Sequence, residues 1–289
     1  VLAVYSGAMK TSLLLRLLGR KTSWRLGRSL YMASRQEIGN EIAENGEALL
    51  IRQVVDAHRR IAPGTPFRAF DIGANLGEWT AEVATVAGPA LDWSVDLFEP
   101  IEGSFAHVSR RFAEQPRVRC HQMAVSNRVG TAEMVVVGET SGTNHLGSAG
   151  GETGTRTVTV PLTTIETQLA AQGIDRVDLV KVDTEGHDIE ILRAIGPLLE
   201  RGAIGVLQFE YNWRWLPNRG SLYEVFRLID GTDYRLARIY PDGPAIFPAW
   251  NAELDRYFEA NYALIRNDVA TALGAVRLSW EASNVALPA

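Results

Sequence analysis

Residues 67 to 80 read FRAFDIGANLGEWT. An apolar run stops at Asp71, and Gly73 and Gly77 follow four positions apart. Glycine at such points lets the chain turn sharply and approach a ligand with no Cβ in the way, as in the strand-to-helix turns that hold nucleotides. The spacing is not that of a dinucleotide turn: G-x-x-x-G stands where G-x-G-x-x-G is needed, and no G-K-[ST] follows to reach a triphosphate. An acid directly before the turn also repels phosphate.

Outward from this turn, apolar runs alternate with helix-like segments. FRAFDI is followed by a helical stretch at 77 to 87, then DWSVDLFE, a helix at 102 to 114, and RVRCHQMAV. TAEMVVV, TVTVPL, a helix near 162 to 172, VDLVKVD, a helix at 187 to 200, and AIGVLQFE complete the series. Continuous apolar runs suit strands covered on both faces, and their alternation with helices predicts an α/β doubly wound, mostly parallel sheet. In such sheets ligands bind at the carboxyl ends of strands, near the point where strand order reverses. Polar residues stand where the runs stop: Asp71, Glu99, the turn at 124 to 127, Asp183 with Glu185, and Glu210.

The ligand that this arrangement suits carries positive charge near Asp71, in the form of an ammonium and a sulfonium. S-adenosylmethionine meets that demand. Glu99 lies 22 positions after Gly77, close to the spacing of about 20 at which a helix and a strand deliver a carboxylate to a ribose. A carboxylate accepts two hydrogen bonds and so matches the ribose diol.

FDIGANLGEWT, LFEP, MAVSNRVGTAEM, PLTTIETQL, VDLVKVDTEGHDIEIL and VLQFEYN, in this order between about Phe67 and Tyr240, resemble the FkbM-type family of S-adenosylmethionine-dependent methyltransferases. The resemblance implies a Rossmann-like class I methyltransferase fold with a seven-stranded sheet, and methylation of hydroxyl groups on sugars or polyketide-type products. It also implies that Asp71, Gly73, Asn75 and Gly77 line the methionine part of the cofactor, that Glu99 holds the ribose, and that Ala124 lies near the adenine. Residues before Phe67 are outside it.

Methyl transfer to an alcohol requires alignment of the nucleophile and removal of its proton, by a base or with a metal that acidifies the hydroxyl. DTEGHD, 183 to 188, offers both. His187 is either the base, suited to work near neutrality, or a helix-capping or supporting residue bonded to a carboxylate. Asp183, Glu185 and Glu210, with the amide of Asn212, are a candidate Mg²⁺ set. Alternatively Asp183 meets the cofactor's amino group, itself serving as base in the metal's absence, and Glu185 caps the following helix. His145, in the glycine-rich stretch 138 to 156, is a third catalytic candidate, placed to close over the substrate from a mobile loop. In EYNWRWLPNRG, 210 to 220, Tyr211, Trp213, Arg214 and Trp215 are candidates for stacking on and bonding to a sugar acceptor, or they anchor the loop to the core.

The 289 residues are 46% hydrophobic and 22% charged, a globular composition. One cysteine, Cys120, excludes an internal disulfide framework and a thiolate zinc site and points to a reducing, cytoplasmic setting. The 26 Arg against 3 Lys fit GC-rich bacterial coding. PGTP at 63 to 66 divides an N-terminal helical extension, 1 to 62, from a methyltransferase domain, 63 to 289. Residues 1 to 35 carry seven basic side chains and no acid, within a chain of net charge −5. Residues 9 to 35 therefore suit either peripheral contact with an anionic membrane, an oligomer contact or a flexible end. The acidic balance elsewhere, and the lack of an N-P-P-[YF] segment, disfavour a nucleic-acid substrate. The reading is an O-methyltransferase acting on a sugar, oligosaccharide or glycosylated metabolite. Its alternatives are O-methylation of a polyketide or lipid-linked hydroxyl at a membrane, and a cofactor-binding module without catalysis.

Overall fold

A computed structural model describes residues 2–36, 41–42, 44–138, 144–146 and 156–289. The chain forms two compact units, Val1–Gly39 and Asn40–Ala289. The first is the helical stretch α1 (Leu2–Ser34), interrupted at Gly19, whose backbone is non-helical (φ 72°, ψ 157°). Leu17, Trp24 and Leu30 are exposed there. Among the described residues no helix is long and apolar enough to cross a membrane.

The second unit starts earlier than PGTP. Helix α2 (Glu47–Ile61) buries Leu50, Ile51, Val54 and Val55 in a core shared with Phe67, Trp79 and Val269. Its His58 ring lies 3.2 Å from Asp178 of the strand at 177–182, and Asp178 also accepts from the Arg68 amide. The expected boundary at residue 62 is therefore corrected: burial of one face of α2 makes it part of the larger unit, and the division falls near residue 39.

After α2 the order is β1 (Phe67–Ile72), α3 (Glu78–Ala87), β2 (Trp93–Phe98), α4 (Glu102–Arg111), β3 (Val118–His121), β4 (Ala124–Val125), β5 (Gly130–Val136), β6 (His145–Leu146), β7 (Arg156–Thr163) and α5 (Ile165–Gln172). Then come β8 (Val177–Val182), α6 (Asp188–Ala194), α7 (Gly196–Glu200), β9 (Ile204–Tyr211), α8 (Leu222–Leu228), β10 (Tyr234–Tyr240), β11 (Gly243–Ile246), β12 (Ala260–Arg266), α9 (Asn267–Leu273), β13 (Val276–Trp280) and β14 (Ala286–Pro288).

The main sheet has the order β14-β13-β11-β10-β12-β9-β8-β1-β2-β3. Strands β3, β2, β1, β8 and β9 are mutually parallel, and β12 runs antiparallel between β9 and β10. The α/β class and the doubly wound, Rossmann-like order are as expected, with ten strands among the described residues rather than seven. Strands β11, β13 and β14 add the extra edge. The chain order reverses between β1 and β8, which sets the crevice at their carboxyl ends.

TAEMVVV and TVTVPL do not join this sheet. They pair antiparallel as β5 and β7 in a separate four-stranded sheet, β4-β7-β5-β6. Each is exposed or half-buried along its first four residues and buries most of the rest. The glycine-rich stretch 138 to 156 falls largely outside the described residues; the part described pairs as β6 with β5.

Candidate functional site

The turn after β1 is locked by contact. Gly73 has φ +79°, and a Cβ there would lie 1.8 Å from the Asp183 carbonyl oxygen at the end of β8. Gly77 has φ +77° and caps α3, with Phe112 where its Cβ would be. Glycine is thus required at 73 so that two strand ends can touch at the topological switch point.

Glu99 reaches back to this turn from the end of β2. Its Oε2 accepts from the Asn75 amide and its Oε1 from the Ile101 amide, each at 2.9 Å. Burial raises its pKa to about 7, against the opposing pull of those two amides. Glu99, Gly73, Asn75 and Asp183 line a cavity whose other walls include Phe98, Ala124, Val125, Met134 and Leu146. An acceptor carboxylate beside an apolar slot fits a ribose joined to a flat base, so the residues present suit S-adenosylmethionine.

A second, more open cavity lies on the other side of the turn. Gly73, Asn75 and Asp183 line both, so the two spaces meet there. The second is walled by Glu47, Glu78, Trp79, Lys181, Glu210 and Asn261, with Glu41 and Ile42 at its edge. It is built by strand register. Asp71, Lys181 and Gln208 stand side by side on β1, β8 and β9, and Glu210 pairs with Asn261 on β12. Side chains two residues apart share a face, so Asp183 and Glu210 continue this polar row toward the strand ends. Lys181 Nζ lies 3.1 Å from Asp183 Oδ2. The surrounding Asp183, Glu47 and Asp71 carboxylates raise the Lys181 pKa against strong desolvation and keep it charged. Glu47 arrives from the first turn of α2 and accepts from Asn261 Nδ2 at 2.6 Å.

Asp71 lies below the turn and lines neither cavity. It is fully buried, its Oδ2 accepts from Thr80 Oγ1 at 2.6 Å, and burial raises its pKa. Its place is therefore beneath the cradle, where it holds the start of α3 and faces Lys181; the lining role implied for it is corrected. Gly77 likewise shapes the turn without lining either cavity.

The catalytic candidates separate in the same way. Asp183 sits at the junction. His187 Nε2 lies 2.8 Å from Ser126 Oγ, and desolvation lowers its pKa. It lines neither cavity, which corrects its reading as the base. His145 lies on β6 between Asn144 and Leu146, both of which line the first cavity. Alternation along a strand turns His145 away from that cavity, so its expected closure over the substrate is corrected as well.

The magnesium set does not assemble. Asp183 is engaged with Lys181, Glu185 pairs with Arg214 at 3.0 Å, and Glu210 accepts from Asn212 Nδ2 at 2.7 Å. The other end of the Asn212 amide accepts from the Arg214 amide. Among the described residues no three His, Cys, Asp or Glu side chains gather as a metal site. The DTEGHD turn is instead organised by Asp188, whose Oδ2 accepts from Thr184 Oγ1 and the Gly186 amide.

Of the acceptor-binding candidates, Tyr211 and Trp215 are core residues, 1% and 0% exposed. Trp215 stacks on Phe209 and donates to the Glu210 carbonyl, while Tyr211 donates to Asp255. Strand β9 is buried along its whole length, so aromatics at and just past its end turn inward; the stacking role for these two is corrected. Arg214 is taken by Glu185, and Trp213, 58% exposed, lines neither cavity.

Two pH effects follow. Ionised Glu99 accepts from a ribose diol more fully than its acid form, so S-adenosylhomocysteine should bind about tenfold more tightly at pH 8 than at pH 6, as expected for a group titrating near 7. Calorimetry with Glu99→Gln, which should bind weakly and without this pH dependence, checks it. Stability should run the other way. Burial raises Glu99, Glu185 and Asp188 to about 7, so the folded state holds their protons more tightly than the unfolded chain does. Their favourable contribution is full below the ordinary carboxyl pKa and is lost as pH rises through 7. The ligand-free Tm should be higher at pH 6 than at pH 8, by about 2–4 °C for each kcal/mol involved; an equal or higher Tm at pH 8 counts against these burial effects.

Residues 71–236, more than half of the chain, match the family model for the methyltransferase FkbM domain. Among solved structures, the chain is similar to a methyltransferase FkbM from Methylobacillus flagellatus, at 12% identity and a TM-score of 0.42, over 81% of this chain and 57% of that one. It is also similar to an S-adenosylmethionine-dependent methyltransferase from Agrobacterium tumefaciens, at 9% identity and a TM-score of 0.42, over 80% and 64%. The chain thus spans less than two thirds of the length of either. Comparison with curated proteins gives no match.

Proposed function

The chain belongs to the FkbM family of S-adenosylmethionine-dependent methyltransferases, and on that premise we propose that it is an O-methyltransferase acting on a hydroxyl of a sugar, oligosaccharide or glycosylated metabolite. The observation that carries this reading is the meeting of the two cavities at Asp183. One cavity suits the cofactor's nucleoside, and the other is wide and lined by Glu47, Glu210 and Asn261, groups that accept hydrogen bonds from a polyhydroxylated ligand.

When bound, S-adenosylmethionine supplies a methyl group activated by the sulfonium. This chain's residues do the rest. Gly73 and Asn75 hold the turn against β8, Glu99 fixes the ribose end, and the acidic cleft orients the acceptor hydroxyl. Asp183 accepts the hydroxyl proton as the new C–O bond forms. Lys181, 3.1 Å away, pairs with Asp183 and holds its rotamer. The alternative in which Asp183 meets the cofactor's amino group uses the same junction.

Two measurements test the reading. Calorimetry should detect S-adenosylmethionine binding, and a panel of mono- and oligosaccharides should yield S-adenosylhomocysteine with one methyl group added at oxygen. Binding without turnover on any hydroxylated acceptor would favour a cofactor-binding module, and addition of the methyl to carbon or nitrogen would replace the O-methyl assignment.

A further inference from the structure

Residues 20 to 34 continue α1 beyond its break at Gly19, and the helical period sorts their side chains into two faces. Lys21, Arg25 and Arg28 recur at i, i+4 and i+7, where they form one exposed basic stripe. Leu26 and Leu30, four apart, fall on the other side with Trp24 and Tyr31, seven apart. These four are 50%, 62%, 62% and 37% exposed. Arg20 stands among them beside the break, where a long stem lies along apolar surface and keeps its charged head in water. Leu15, Leu17 and Leu18, just before the break, are exposed as well. Large apolar side chains grouped in solvent mark a docking face.

Charge decides the occupant. Residues 1 to 35 bring seven positive charges and no negative one to a chain of net charge −5, so the rest carries −12. A second copy laid face to face would set like charges together, and a nucleic acid would take the basic stripe but leave Leu26 and Leu30 in water. A bilayer with anionic headgroups satisfies both faces: the apolar one enters the boundary between headgroups and acyl chains, and the basic one meets the phosphates. The aromatics fit the same seam. The Arg28 guanidinium lies over the Trp24 ring at 5.7 Å and that of Arg35 over Tyr31 at 5.4 Å, which pairs amphipathic rings with cations as a membrane–water interface does. At about 22 Å the segment falls short of the roughly 30 Å hydrocarbon core, so it lies on the bilayer rather than across it.

We propose that residues 15 to 34 bind the surface of an anionic membrane peripherally, with Trp24, Leu26, Leu30 and Tyr31 seated at the headgroup boundary and Lys21, Arg25 and Arg28 on the lipid phosphates. This concerns where the protein works and does not rest on which acceptor it methylates.

The full chain is sedimented with vesicles of phosphatidylcholine alone and with vesicles in which about a third of the lipid is phosphatidylglycerol. Each basic residue near an anionic surface is worth about fivefold in partitioning, so the anionic vesicles should bind at least about tenfold more tightly, and the difference should shrink with added salt. Two double variants read the two faces. Lys21→Glu with Arg25→Glu should weaken binding by about tenfold or more, and Leu26→Ser with Leu30→Ser should do the same through lost apolar contact. All four positions are exposed, so the Tm should stay at the wild-type value and separates a lost contact from a lost fold. No preference for anionic vesicles overturns the proposal. So does full binding by Leu26→Ser with Leu30→Ser, which makes the basic stripe a general polyanion site. Self-association in sedimentation velocity in place of vesicle binding overturns it too, and makes the face a contact between copies.

Discussion

Gly73→Ala is expected to abolish detectable S-adenosylmethionine binding and to destabilise the fold by about 2–5 kcal/mol, the sum of a strained positive φ and an overpacked contact. The new methyl carbon would lie 1.8 Å from the Asp183 carbonyl oxygen. The obstacle is backbone at the end of β8, so no side-chain rotation relieves it and the two strand ends must part. Their parting moves the contact that both cavities share. Gly88→Ala separates conformation from contact. Gly88 has φ +64° and ψ −172° but nothing within 4 Å of its Cβ position, so that variant should lose only about 1–3 kcal/mol and bind normally. Urea melts and calorimetry on the two variants check this; wild-type affinity in Gly73→Ala would show that the turn is not the cofactor's cradle.

The cradle was legible in the sequence because it is local. FDIGANLG and DTEGHD mark strand ends by an abrupt change from apolar to glycine and acid, and Gly73, Glu99 and Asp183 stand together in the fold as that pattern predicts. The acceptor side was not legible, because register builds it. Lys181 lies inside VDLVKVD, which scans as one buried run, and only pairing with Asp71 and Gln208 shows that a charged row crosses the sheet. One signal was available: in a chain with three lysines, one in the middle of an apolar strand has no solvent to reach. Glu47 was hidden by its helix, whose apolar stripe is clear but whose docking site is not. It meets Asn261 across 214 positions of sequence. Trp215 and Tyr211 misled for the opposite reason, since an aromatic at a strand end serves an acceptor or the core equally well until its neighbours Phe209 and Tyr262 are in place.

Asp183→Asn is expected to lower kcat by about 10²–10⁴-fold, the usual contribution of a positioned base, with S-adenosylhomocysteine affinity near that of the wild type. Asparagine keeps the size of the side chain and an oxygen for Lys181, but it takes no proton at neutral pH. The loss corresponds to about 3–5 kcal/mol of transition-state stabilisation, and an effect in kcat with little change in KM is the signature of an interaction made only there. The other candidates are placed elsewhere. His187 is engaged with Ser126 outside both cavities, His145 is turned from the cofactor cavity by strand alternation, and Glu185 is bound to Arg214. Glu210 shares the cleft with Asp183 but is one strand further from the cofactor side and tied to Asn212. Steady-state kinetics on Asp183→Asn and Glu210→Gln therefore discriminate. A kcat drop confined to Asp183→Asn supports its role, and a drop confined to Glu210→Gln moves the proton to β9 and leaves Asp183 as an orienting group for the cofactor.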